Sequence, residues 1–285
     1  MAMTGVLRPG HAQIKVLDLD ESIEFYSNVL GLIQTGRQGD RAYFKAWDER
    51  DHHSLILRGA GEAGMDFMGW RVADEATLSQ LERDLNNYGV ATERVPAGDL
   101  LETGERVRFQ LPTGHLFELY AHKSEIGNGL GYTNPYSWNE AAERGIAPIR
   151  MDHALLYGPD IELNEKLFTE VLGFHVTERI MLPDGETMLG TFLSCSIKAH
   201  DVAFIRNETP GAMHHVSYLL DSWEKVLRAA DLMTFHNSGN RFETFCGGAY
   251  TYPDWKPLTW TWEEVGRAVF YHQRSLNEAF LNVYT

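Results

Sequence analysis

A chain of 285 residues, 44% hydrophobic and 23% charged, is long enough for two domains with their own cores and is neither disordered nor fibrous. Its net charge of −15 opposes nonspecific binding to nucleic acid or anionic lipid, and no apolar run has the length of a signal-peptide core or membrane span. With only Cys195 and Cys246 there is no disulfide framework, which points to a reduced, cytoplasmic setting. The stretch Pro9 to Val16 alternates like a strand. Asp18 and Asp20 then offer N-cap oxygens to a helix carrying Ile23, Phe25, Tyr26, Val29 and Leu30, and Gly31 stands where a left-handed cap ends it. Met65–Trp70 reads as a strand and Leu78–Leu85 as an amphipathic helix. Arg106–Leu111 and the segment through Glu118 to Tyr120 read as a hairpin about Thr113-Gly114. A connector around Ile126–Ala147, rich in Gly, Asn and Pro, divides a first domain over 1–125 from a second over 148–285.

The second domain opens on the strand Arg150–Gly158, whose alternation puts His153, Leu155 and Tyr157 on one face and Asp152, Ala154 and Leu156 on the other. A helix follows and ends at Val171-Leu172-Gly173. Met213–Tyr218 is the next strand, Trp223–Leu232 a helix, and Ser238–Phe245 a turn with an outgoing strand. The tail after Gly248 is heavy in aromatics, and Thr261 with Glu264 forms a capping box.

The second half repeats the first. His11 to Val29 and His153 to Val171 are both 18 positions apart, and both helices end in Val-Leu-Gly. A strand, a helix and three further strands form the repeating unit, so the predicted class is α+β with helices on one sheet face. The units disagree at one place: Phe67 to Glu118 spans 51 positions, and His215 to Glu243 spans 28. A counterpart of Arg106–Leu111 is lacking, which would leave a sheet edge open. A spatial break near Met233–Asn237 is therefore expected, wider than the roughly 3.8 Å step of a trans peptide.

Superposing the halves sets His153, His215 and Glu243 against His11, Phe67 and Glu118. Two imidazoles and a carboxylate on neighbouring strands occupy one face of an octahedral Fe(II) or Mn(II) and leave the other face open. Phe67 has no lone pair to donate, so the first half is expected to hold no metal. The repeat favours His215, opposite Phe67, over His214. Glu243, flanked by Phe242 and Phe245, is expected to be half-buried and paired. His200 is either a rim histidine or an acid/base titrating near neutrality.

The stretches Arg8-Pro9-Gly10-His11, Gly64–Gly69, Arg106-Val107-Arg108-Phe109, Lys198–Phe204, His214-His215-Val216-Ser217, Ser238-Gly239-Asn240-Arg241 and Pro257–Thr261 resemble one family end to end. It is that of the two-domain extradiol ring-cleaving dioxygenases of the vicinal oxygen chelate superfamily. The resemblance implies two tandem vicinal-oxygen-chelate-type domains, each of paired βαβββ modules, with the C-terminal sheet cupped around the metal. It implies Fe(II) on His153, His215 and Glu243, with His200 catalytic. Substrate contacts are implied for His200, Phe192, Val269 and Phe280. It further implies a homotetramer that opens catechol or alkylcatechols with dioxygen to 2-hydroxymuconic semialdehydes in aromatic-compound degradation. The family carries more residues after Met233, among them a histidine and a tyrosine that contact substrate; neither has a counterpart here. A zinc or nickel lyase of the glyoxalase type would take a ligand from each half, which Phe67 disfavours. A metal-free binding protein would need no complete ligand set.

Overall fold

The computed structural model describes residues 5–127, 140–233, 240–251 and 255–267. Val269, Phe280 and the break expected after Met233 lie outside the described residues. The first half supplies β1 (Val6–Val16), β2 (Ile33–Gln38), β3 (Arg41–Lys45), β4 (Leu55–Gly59), β5 (Gly64–Val72), β6 (Thr92–Val95), β7 (Arg106–Gln110) and β8 (Leu116–Tyr120). They lie side by side in the order β2-β3-β4-β1-β5-β8-β7-β6. Helix α1 (Leu19–Glu24), continued by a π-helical turn over Phe25–Leu30, follows β1, and α2 (Glu75–Tyr88) follows β5. Two βαβββ units therefore share one sheet.

Local chemistry sets these elements. The Asp18 carboxylate accepts from the Glu21 amide at 2.9 Å and starts α1, as Asp74 does for α2 through Thr77 at 2.7 Å. Gly31, at φ 85°, closes the first helical segment in the left-handed conformation that a side chain disfavours. Helix α2 buries Leu78, Leu81 and Leu85, one face at helical spacing.

The second half supplies β9 (Arg150–Gly158), β10 (His175–Met181), β11 (Met188–Ser194), β12 (Val202–Arg206), β13 (Ala212–Leu220), β14 (Phe242–Cys246) and β15 (Leu258–Trp260). Its helices are α3 (Ile161–Glu170), α4 (Trp223–Met233) and α5 (Trp262–Arg267), the last opened by the expected capping box between Thr261 and Glu264. The strand order is β14-β13-β9-β12-β11-β10-β15. Up to α4 the elements repeat those of the first half. Then β14 takes the place of β8: Glu243 sits opposite Ser217 as Glu118 sits opposite Gly69. Counterparts of β6 and β7 are absent among the described residues, so β14 forms the sheet edge.

Alternation along β9 sorts side chains between two environments. Ala154 and Leu156 enter the main core, whereas Leu155 and Tyr157 line the concave face with Leu189, Ala203 and Ile205. The main core is continuous across both halves: Trp70 meets Phe174 at 5.1 Å between ring centroids, and Phe117 meets Phe168 at 5.7 Å. Each buried ring of this kind contributes about 1.5–3 kcal/mol, so the halves stabilise one another. No helix among the described residues is long and apolar enough to cross a membrane.

Candidate metal centre

Three neighbouring strands converge at the concave face of the second sheet. His153 comes from β9, His215 from β13 and Glu243 from β14. Oε2 of Glu243 lies 3.2 Å from Nε2 of His153 and 3.7 Å from Nε2 of His215. The three candidate ligand atoms lie within 4.8 Å of one another. Ser217, on β13, donates to the same Glu243 oxygen at 2.7 Å. The Glu243 side chain is 44% exposed, as the half-buried expectation required.

Along β9 alternation fails at Asp152, and the failure matters. The register steps from Ser217 opposite His153 to Tyr218 opposite Met151, so Asp152 is the extra residue of a β-bulge. Its carboxylate is not on the far face as expected. The bulge turns it onto the neighbouring ring, with Oδ2 3.0 Å from Nδ1 of His153. A second bulge at His214 turns that ring toward Tyr157 and Arg241, with its Nδ1 2.6 Å from Nδ1 of His215. His215, not His214, faces Glu243.

The electrostatics suit a cation. Burial opposes charge on Glu243, but the hydrogen bond with His153 and the nearby His215 outweigh it and bring the carboxyl down to about 2. Burial also disfavours protonated His153, yet hydrogen bonds to Asp152 and Glu243 overcome it and raise that imidazole above its ordinary range. Burial, only partly opposed by Glu243, pulls His215 down to about 3. The buried Nε2 of His215 has no hydrogen-bond partner among the described residues. A neutral imidazole whose inward Nε2 has no hydrogen-bond partner, a second imidazole and a committed carboxylate fit a divalent transition metal.

His200 joins this group from the turn before β12. Its ring stands edge-on to His153 at 4.2 Å between centroids and to Phe192 at 5.2 Å. Burial and the neighbouring His153 hold it well below the usual imidazole range. The expectation of a group titrating near neutrality is thereby corrected for the metal-free protein, where the ring is neutral at pH 7. A cavity of about 1060 Å³ opens over these residues, walled by Leu155, Ile180, Phe192, Ile205 and Phe245.

The first half holds a sealed version of the same arrangement. His11 and Glu118 stand where expected, 3.7 Å apart and buried. Sequence comparison missed a third member, His53. Leu55 pairs with Ala12 as Val202 pairs with Ala154, which makes His53 the counterpart of His200. A histidine two residues before each of these strands was the available signal. Phe67 packs here with Tyr43, Ile56 and Leu100 in place of a ligand. Arg106 and Arg108 both bind Glu118, each at 2.8 Å through Nε, and Lys123 reaches Nδ1 of His11 at 2.9 Å. Burial pulls Lys123 down to about 7.

Paired βαβββ units in the first sheet, their shortened repeat in the second, and two imidazoles with a carboxylate in the second cup define a dioxygenase-type protein of the vicinal oxygen chelate fold. Residues 65–124 match the Catechol 2,3-dioxygenase-like N-terminal domain, and residues 150–242 match the Glyoxalase/Bleomycin resistance protein/Dioxygenase superfamily. The metapyrocatechase of Pseudomonas sp. (strain CF600) is 48% identical, over 99% of both chains. The 2,3-dioxygenase LapB of Pseudomonas sp. KL28 superimposes with a TM-score of 0.88 at 55% identity, covering 91% of this chain and 99% of that one. A manganese-dependent 2,3-dihydroxybiphenyl 1,2-dioxygenase of Geobacillus genomosp. 3 is 27% identical over 92% of each chain. The chain belongs to the catechol 2,3-dioxygenase (metapyrocatechase) family of extradiol dioxygenases, which open catechols by meta cleavage. The 48% alignment extends over 306 positions against a chain of 285, so at least 21 positions find no residue here. That agrees with the short fourth unit.

Proposed function

We propose that the protein is a non-haem Fe(II) extradiol dioxygenase that opens catechol or an alkylcatechol to a 2-hydroxymuconic semialdehyde, with His153, His215 and Glu243 as metal ligands. The observation that carries this reading is the convergence of two Nε2 atoms and one carboxylate within 4.8 Å at the floor of an apolar cavity. When bound, the metal supplies open positions for substrate and dioxygen and favours the deprotonated catechol.

The remaining work belongs to side chains of this chain. Glu243 is ionised and His215 neutral before any ligand arrives, and His153 releases its proton on binding. Phe192, Leu155 and Ile205 wall the cavity with apolar surface that suits an aromatic ring. His200, neutral and next to His153, takes a proton from a substrate hydroxyl and returns it to a departing oxygen. In the same reading Val269 and Phe280 complete the ring pocket, and the domains divide at 1–125, a connector over 126–147, and 148–285. It includes a cytoplasmic homotetramer, which the family resemblance supports.

The ligand set accepts Fe(II) and Mn(II) alike, and the proposal commits to iron. Anaerobic loading with either metal, followed by catechol and air, tests it through a yellow product and oxygen uptake. Turnover with iron is expected. Turnover with manganese alone would overturn the metal, and none with either would overturn the activity.

A further inference from the structure

The two halves treat the same histidine in opposite ways. Both carry a β-bulge at the residue just before it: Gly10 before His11 and Asp152 before His153. Bulges of this kind re-aim side chains beside sites, and here the equivalent position holds no side chain in one half and a carboxylate in the other. Asp152 Oδ2 is 3.0 Å from Nδ1 of His153. A carboxylate only accepts, so Nδ1 keeps its proton on Asp152, and the proton that Nε2 shares with Glu243 is the one released to expose a lone pair to metal. In the first half the Nδ1 partner is the Lys123 amine at 2.9 Å, which also donates to the His53 carbonyl at 2.9 Å. As an ammonium, Lys123 has only N–H groups to offer, one for each acceptor. Nε2 of His11 therefore carries the hydrogen, 3.7 Å from Glu118, and has no lone pair for a cation. A side chain at Gly10 would not restore the other arrangement, because its Cβ would fall 2.0 Å from the Tyr120 hydroxyl.

Asp152 is itself held. Nζ of Lys198 donates to the Asp152 carbonyl at 2.6 Å and lies 3.2 Å from its Oδ1. The same ammonium is 2.8 Å from Oδ1 of the buried Asp201, whose Oδ2 accepts from Ser194, Ser196 and the Cys195 amide. Lys198 thus ties the strand bearing His153 to the turn bearing His200.

We propose that Asp152 is a positioning residue for the metal centre, fixing His153 in the tautomer whose Nε2 can bind a metal, and that Lys198 fixes Asp152. This rests on the metal centre proposed above. Lys123 is the element of opposite sign that turns the first half away from metal, in addition to Phe67.

The test is metal affinity, independent of turnover. Co(II) binding to the metal-free chain, followed by absorption and by chelator competition, is measured with apo-protein melting temperature as the control. Asp152→Ala is expected to weaken Co(II) binding by about 10–100-fold, the usual effect of losing a carboxylate behind a ligating histidine. Asp152→Asn, whose amide oxygen still accepts, should lose less. Lys198→Met should weaken binding and Lys198→Arg should restore it. Asp152→Ala binding Co(II) as tightly as the parent would overturn the proposal. So would losses in both Asp152 variants that merely track a lowered apo melting temperature. A parent chain that binds no Co(II) would instead overturn the centre itself, a failure distinct from either of these.

Discussion

His153 carries two acidic partners, and that decides how the centre responds to pH. Asp152 and Glu243 raise its pKa above 6.5 in the metal-free protein despite burial. A group whose folded pKa is raised stabilises the apo fold below about pH 6.5, and that contribution fades as pH rises through the raised value. Metal must displace the same proton. Affinity should therefore fall as pH drops through the raised pKa, by up to about tenfold per unit for one proton, while apo stability moves the other way. A chelator-competition series across that range checks the slope; a flat series would show that His153 is not the proton released. His215→Ala removes a ligand and should strip the metal. His200→Phe leaves all three ligands, so metal content should persist while turnover falls by about 10²–10⁴-fold, read by oxygen uptake and metal analysis of one preparation. The candidate ligands were legible because they stand in the repeated strands where His11, Phe67 and Glu118 stand in the first half. The partners of the first half's histidine were not: Lys123 stands 112 positions from His11, and only the fold brings them together.

At the scale of elements, the short fourth unit leaves Glu243 on a strand with one neighbour among the described residues. Glu118 is fully buried and gripped by Arg106 and Arg108 on β7, whereas Glu243 is 44% exposed and rests on Ser217 and the histidines. Edge strands of this kind open more readily than paired ones. Amides of β14 should exchange with solvent faster than those of β8 in the apo-protein and slow markedly once metal is bound. Equal protection of β14 with and without metal would contradict this. Ser217→Ala removes one hydrogen bond to a carboxylate, worth about 1.5–3 kcal/mol at most when buried and less here, so a several-fold loss of metal affinity is expected. Spacing made the shortness of this unit visible, since 51 positions stand against 28 and no counterpart of β7 occurs among the described residues. Caps were equally visible, because Asp18 and Thr261 act within a few residues of themselves. The bulges at Gly10, Asp152 and His214 were not. A bulge is defined by a partner strand, and alternation within one strand carries no sign of it.

Across the whole molecule, one core joins two halves that have kept the same frame and parted in chemistry. In the first cup Leu100 and Phe67 fill the floor, and three basic side chains lie on the two remaining ligand-type residues. Arg108 also covers the Phe67 ring at 5.2 Å. Burial acts to raise Glu118, but contacts with His11, Arg106 and Arg108 outweigh it and hold the carboxyl down at about 2, already neutralised by protein cations. Restoring the missing imidazole should therefore not restore a site. Phe67→His would place a polar ring among Tyr43, Ile56 and Leu100 and lower stability by about 1–3 kcal/mol. It would leave Glu118 in the grip of both arginines and His11 with Lys123 on Nδ1. Metal content of the loaded variant, measured by plasma mass spectrometry against protein concentration, should stay at one ion per chain, with the melting temperature lowered. Two ions per chain would show that Phe67 alone keeps the first half free of metal, and that its basic cluster plays no part.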